Sequence, residues 1–147
     1  MNYEVYTDIE MSGGFNVFDF ISTGKDKAIR KRVAFTRTDM DEVYNLAFGD
    51  VDENDEINDY SISNNGDRDK VLATIVNIIE AYTKRFPDHW IIFEGSTIER
   101  TRLYRMAIGL HFEELSIKFG IYTYIDGIIT PFVKNMKVKA FLIKRKK

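Results

Sequence analysis

The sequence predicts an α+β protein, a curved, mostly antiparallel β-sheet of roughly seven or eight strands packed against two main helices. Three observations carry this. Short alternating or wholly apolar runs, punctuated by glycine, asparagine and aspartate, fill both ends of the chain. Between them, Val71, Leu72, Ile75, Val76, Ile79, Tyr82 and Phe86 recur at helical spacing. Finally, Ser96 followed by Glu99 forms a capping box, which opens a second helix directly after the apolar run His89 to Phe93. With 147 residues, 44% hydrophobic and 14% aromatic, the chain suits one domain with a real core. Its predicted parts are a β-meander region (1–63), a helix–strand–helix segment (64–118) and C-terminal strands (119–147).

Tyr3 to Glu10 alternates Tyr, Val and Ile and predicts the first strand, and Gly13-Gly14 offers the positive φ angles of a tight reversal. Phe15 to Ser22 is the second strand. Its apolar positions switch face between Val17 and Phe18, which implies a bulge or burial on both faces. After the turn at Gly24 to Lys27, Ile29, Val33 and Phe35 point one way and Arg30 and Arg32 the other. Arg30, Lys31, Arg32 and Arg37 read most simply as an exposed strand edge protected by charge. Glu42 to Val51 alternates Tyr44, Leu46 and Phe48 as a fourth strand, and Ile57 to Ile62 makes a short fifth.

The Asn64 to Asp67 stretch breaks the chain and caps the long helix, which ends before Pro87 because a residue preceding proline avoids the helical region. His89 to Phe93 is short and bulky, a strand buried on both faces. The second helix then runs from Ser96, with Leu103, Met106, Ala107 and Leu110 as its inward stripe and Arg100 and Tyr104 on an adjoining face. Gly109 ends or kinks it, Phe112 to Lys118 continues briefly, and strands at Phe119 to Ile125 and Val138 to Arg145 close the chain. The apolar centre Ala140 to Ile143 makes the last strand interior.

Composition narrows the chemistry. The absence of cysteine excludes disulfide frameworks, thiol catalysis and cysteine-based zinc sites. No basic start followed by an apolar run marks a signal peptide, and no apolar run reaches the roughly 20 residues of a membrane span. A cytoplasmic protein with no membrane association is the expectation. The charge is polarised: Thr38 to Asp69 holds eleven acidic residues and one basic, whereas Gly95 to Lys147 holds eleven basic and four acidic. Asp50 to Asp59 begins like a calcium loop. However, Asp55 stands where the sharp turn takes glycine and Ser61 where the bidentate glutamate belongs, so a solvated acidic connection is the simpler reading.

Three arginines open the second helix, although the amides there already carry partial positive charge and Arg102 and Arg105 repel at i,i+3 spacing. A negative partner is therefore expected. One reading supplies it internally, from Asp88, Glu94, Glu99 or the acidic loop. The other is an anion site in which helix amides, the Ser96 and Thr97 hydroxyls and the forks of Arg100, Arg102 and Arg105 hold phosphate or carboxylate, with Tyr104 stacking or donating a hydrogen bond. Neither the glycine pattern nor the lysine of a P-loop is present. The favoured function is non-enzymatic binding of a phosphate-bearing ligand, a nucleic-acid backbone or an acidic protein partner, with no cofactor and no metal. One alternative is metal-independent ribonuclease or nucleotide chemistry, with Tyr104 or His111 moving protons. Another is a structural homo-oligomer whose arginines form an internal network.

Gly95-Ser96-Thr97 with Arg100-Thr101-Arg102-Leu103-Tyr104-Arg105, then Phe132 to Asn135, and finally Ala140 to Lys146 resemble the signature of a family of small single-domain bacterial proteins classed as a domain of unknown function. The resemblance covers essentially the whole chain. It implies a single domain and directs attention to the arginine motif, and it carries no catalytic role.

Overall fold

The computed structural model describes residues 4–25, 27–58, 66–94, 98–133, 136 and 138–146, apart from the side chains of Glu99 and Arg100. Nine strands and three helices are found among them, so the protein is α+β with a mostly antiparallel sheet. By contacts the chain falls into two compact units, one formed by Met1–Thr36 with Ala47–Tyr82 and the other by Arg37–Leu46 with Thr83–Lys147.

In the first unit, β1 (Glu10–Ser12), β2 (Val17–Ser22) and β3 (Ile29–Arg37) form an antiparallel meander. Strand β4 (Val43–Val51) follows β3 in the sheet order. It returns through an acidic hairpin to the short β5 (Ile57–Asn58). Gly13, Gly14 and Phe15 all adopt positive φ (62°, 73° and 74°), the reversal expected at the paired glycines. The predicted first strand is shorter than expected. Tyr6 explains this, because its amide donates to Thr74 Oγ1 at 2.9 Å and its hydroxyl donates to the Asp67 carboxylate. The segment before β1 therefore lies along helix α1 (Arg68–Arg85) rather than in the sheet.

Strand β2 is buried on both sides, as its switching pattern implied. Phe18 and Phe20 enter the core, while Asp19, on the opposite face by the period of two, is only 7% exposed. Helix α1 buries Val71, Leu72, Ile75, Ile79 and Tyr82, with Ile78 added to the predicted stripe. Tyr82 stacks on Phe35 at 3.8 Å between centroids, fixing the helix on β3. The helix stops at Arg85, two residues before Pro87.

In the second unit, the first residues of β4 pair in parallel with β6 (Trp90–Glu94). Helix α2 (Ile98–Leu110) and the short α3 (Phe112–Lys118) lead into β7 (Phe119–Ile125), β8 (Ile128–Pro131) and β9 (Ala140–Arg145). The strand order here is β4-β6-β9-β7-β8, so β6 and β9 are interior, as their apolar runs predict. Strand β8 was not predicted as a strand. Asp126 and Gly127 both take positive φ (51° and 79°), closing a two-residue hairpin that brings Ile128 back beside Ile125.

The inward face of α2 differs from the predicted stripe. Tyr104, Ala107, Ile108 and then His111 are buried, whereas Leu103 and Met106 are half-buried and Leu110 is exposed. The helix is turned so that Tyr104 meets Phe93 edge-on at 5.4 Å. A ring on the β6 face competes better for the core than two flexible aliphatic side chains, since it removes more apolar area from water at once. Among the described residues, no helix is long and apolar enough to cross a membrane.

Candidate functional site

Glycine 95, Ser96 and Thr97 lie outside the described residues, as do the side chains of Glu99 and Arg100, so the predicted cap and the first arginine fork are not placed. Tyr104 is 5% exposed and belongs to the core, where it packs on Phe93 and offers no face to a base. Arg102 is exposed and Arg105 half-buried, one helical turn apart on the side of α2 away from Phe93.

The arginines divide sharply by partner. Arg30 and Arg32 both hold Asp19 and Asp55. Arg37 hydrogen-bonds Tyr44, Arg68 faces Asp69, and Arg145 donates to Thr83 Oγ1 at 3.3 Å. Arg85 is also engaged. Neither Arg102 nor Arg105 has a hydrogen bond or ion pair among the described residues. The acidic loop, which the sequence offered as their internal partner, is occupied elsewhere.

That loop turns back onto β3. Asp55 adopts φ 62°, meeting with an aspartate the sharp turn for which glycine is the usual residue. Its Oδ1 accepts from Arg30 Nη1 at 2.9 Å and from Arg32 Nη2 at 3.0 Å, and its carbonyl accepts from Arg32 Nη1 at 2.8 Å. Asp52 Oδ1 takes the amides of Asn54 and Glu56 at 2.9 and 3.0 Å. These carboxylates therefore fold the loop and neutralise β3, a role different from the calcium ligation considered above. The basic run of β3 is not an exposed edge, since β3 lies between β2 and β4.

Asp19 is the centre of this network. Its Oδ1 accepts from Arg32 Nε at 2.8 Å, and its Oδ2 accepts from Arg32 Nη2 at 2.9 Å and from Arg30 Nε and Nη2 at 3.0 and 2.5 Å. Burial pushes the Asp19 carboxyl up, but the hydrogen bonds and charges of Arg32 and Arg30 outweigh it and hold the group below the usual aspartate range. Lys31 points the other way, into the core, only 4% exposed, with its ammonium 2.6 Å from Asp50 Oδ1 and 5.8 Å from the Phe48 ring centroid. Ser22, fully buried, donates to Asp67 Oδ2 at 2.5 Å. Sequence reasoning missed this buried polar group; the signal was a lysine in phase with Val33 and Phe35.

The histidines are both structural in placement. His89 is sandwiched between Tyr44 (4.1 Å, 8° between planes) and Phe86 (4.8 Å, 6°), and burial lowers its pKa despite the opposing charges of Glu42 and Asp88. His111 is buried at the α2–α3 junction. No group of three or more candidate metal ligands is found among the described residues.

No curated protein and no solved structure matches the chain. A family model does, over residues 2–146, and its span takes in both compact units, the paired arginines of β3 and the unpaired arginines of α2. The chain belongs to this family, described as a family of unknown function (DUF6934).

Proposed function

We propose that this protein is a binding protein whose second unit holds an anionic group, a phosphate ester or nucleic-acid phosphate, on the arginine-bearing side of α2. The observation that carries the reading is the pair Arg102 and Arg105, which have no partner among the described residues while the other described arginines do. Guanidinium forks a turn apart suit the oxygens of one phosphate group or two successive ones. Arg100, Ser96 and Thr97 precede them in the sequence and would extend the site toward the helix amides. A ribonuclease is less well supported, because Tyr104 and His111 are buried and cannot exchange protons with a phosphodiester on this surface.

Thermal unfolding with inorganic phosphate, nucleotides and short RNA tests the reading. Arg102→Ala with Arg105→Ala should fold normally, because surface changes of this kind stay within about 0.5 kcal/mol. A ligand at ten times its dissociation constant should stabilise the wild type by about 1.4 kcal/mol and leave the variant unmoved. Binding of RNA should also weaken linearly with log salt. If no phosphate compound shifts the wild type, or if the variant shifts equally, the reading is wrong.

A second reading, self-association, is favoured by β8. This strand ends the sheet order, carries no charge, and exposes Ile128 (68%) and Ile129 (44%), with Ile125 and Val133 exposed beside it. Sedimentation should then show a dimer that Ile128→Lys converts to monomer. A wild type that is monomeric at high concentration removes this reading.

A further inference from the structure

The sheet face of the second unit opposite α2 carries a cleft of about 580 Å³, lined by the Met40–Val43 segment, the start of β6, β9 and the β7–β8 hairpin. Trp90, Tyr124, Ile129 and Leu142 form its apolar part, and Asp41, Glu42 and Asp88 bring three carboxylates to it against one ammonium, that of Lys144. Lys144 Nζ stands over the Trp90 ring, 5.3 Å from the centroid, so a cation from the chain itself occupies the aromatic face. The carboxylate segment is tied to the tryptophan strand, because the Trp90 amide donates to the Glu42 carbonyl at 2.7 Å. Tyr122 packs against Trp90 at 5.4 Å and fixes the indole from the far side.

We propose that this cleft binds an organic cation, an alkylammonium or guanidinium group on an apolar stem. The stem lies along Trp90 and Tyr124, and the head sits among Asp41, Glu42 and Asp88. An aromatic face is negative at its centre and attracts cations, and the surrounding carboxylates reinforce that sign while repelling phosphate and carboxylate ligands. Lys144 marks the preferred charge and competes for the ring. Shape agrees with charge, since a concave apolar floor with a few polar groups at its rim is how small ligands are held. The cleft lies across the sheet from α2, so the proposal stands or falls independently of the arginine site.

Trp90 is the single tryptophan of the chain, so its emission reports on the cleft directly. Spermidine and arginine ethyl ester form one arm of the titration, and a short peptide carrying lysine and arginine forms the other, with potassium chloride at matched ionic strength as the reference. Saturable changes at or below the millimolar range are expected from the amines. Lys144→Met, which removes the competing ammonium, should tighten binding by about threefold. The pair Asp41→Asn and Glu42→Gln, both exposed and therefore compatible with folding, should weaken it by about tenfold. Equal response to free amine and peptide assigns the site to small amines, and response to the peptide alone assigns it to a basic partner segment. The proposal is overturned if every probe behaves like potassium chloride, or if the carboxamide variant binds as the wild type does.

Discussion

Replacing Asp19 by Asn keeps the side-chain volume but removes the charge and sets an amide donor against the donors of Arg30 and Arg32, which now make four hydrogen bonds to the carboxylate. Breaking one partner of a fully buried ion pair costs about 3–5 kcal/mol. Here the carboxylate is 10% exposed, but Arg30 is 43% and Arg32 14% exposed, so water screens part of the loss. A cost of about 2 kcal/mol follows, a shift in unfolding midpoint of about 6–8 °C for a chain of this length. Asp55→Asn touches the same two arginines from a side chain that is 67% exposed and should cost less than about 1 kcal/mol. Urea and thermal unfolding of the two variants give the comparison. The acid limb supplies a second test, because the folded pKa of Asp19 lies below its unfolded value, near 3.9. Its contribution is complete above that unfolded value and disappears as pH falls through the folded one, so wild type should lose stability more steeply on acidification than Asp19→Asn does. If Asp19→Asn costs no more than Asp55→Asn, the buried carboxylate is not what organises β2 and β3, and the reasoning fails.

Two further substitutions probe the sheet. At Gly120 an added Cβ would lie 2.7 Å from Tyr122 Cε2 and Oη, the movable end of a side chain, so Gly120→Ala should cost under about 1 kcal/mol yet displace Tyr122 and alter Trp90 emission. A large loss of stability with unchanged emission would contradict that account. Phe35→Ala removes a ring stacked on Tyr82 in the core and should cost about 3–5 kcal/mol by chemical denaturation, with a value near 1 showing that the site collapses instead of leaving a cavity.

Much of the fold was legible because periodicity records burial. Helix α1, both interior strands β6 and β9, and the paired glycines before β2 all follow from residue pattern and backbone preference. What escaped depended on partners distant in the chain. The segment before β1 has strand-like alternation, but Thr74 and Asp67 supply its hydrogen bonds from α1. The cations of β3 looked like edge protection because nothing local reveals that Asp50 and Asp55 fold back onto them. Tyr104 was placed beside the arginines by helical spacing, and only the position of Phe93 shows that it turns inward. The unpaired state of Arg102 and Arg105 is likewise a property of the whole structure, since the sequence contains ample acid to neutralise them.

The inward Lys31 makes the protein a reporter of its own breathing. Amine reagents modify a lysine only when the neutral nitrogen meets solvent, and the Lys31 amine is covered and held by Asp50. Exposed lysines such as Lys118 should be labelled within the reagent's own reaction time, whereas Lys31 must wait for the first unit to open locally. The lag between the two, read by mass spectrometry of the digested chain, is therefore a clock for that opening, set by a single core position.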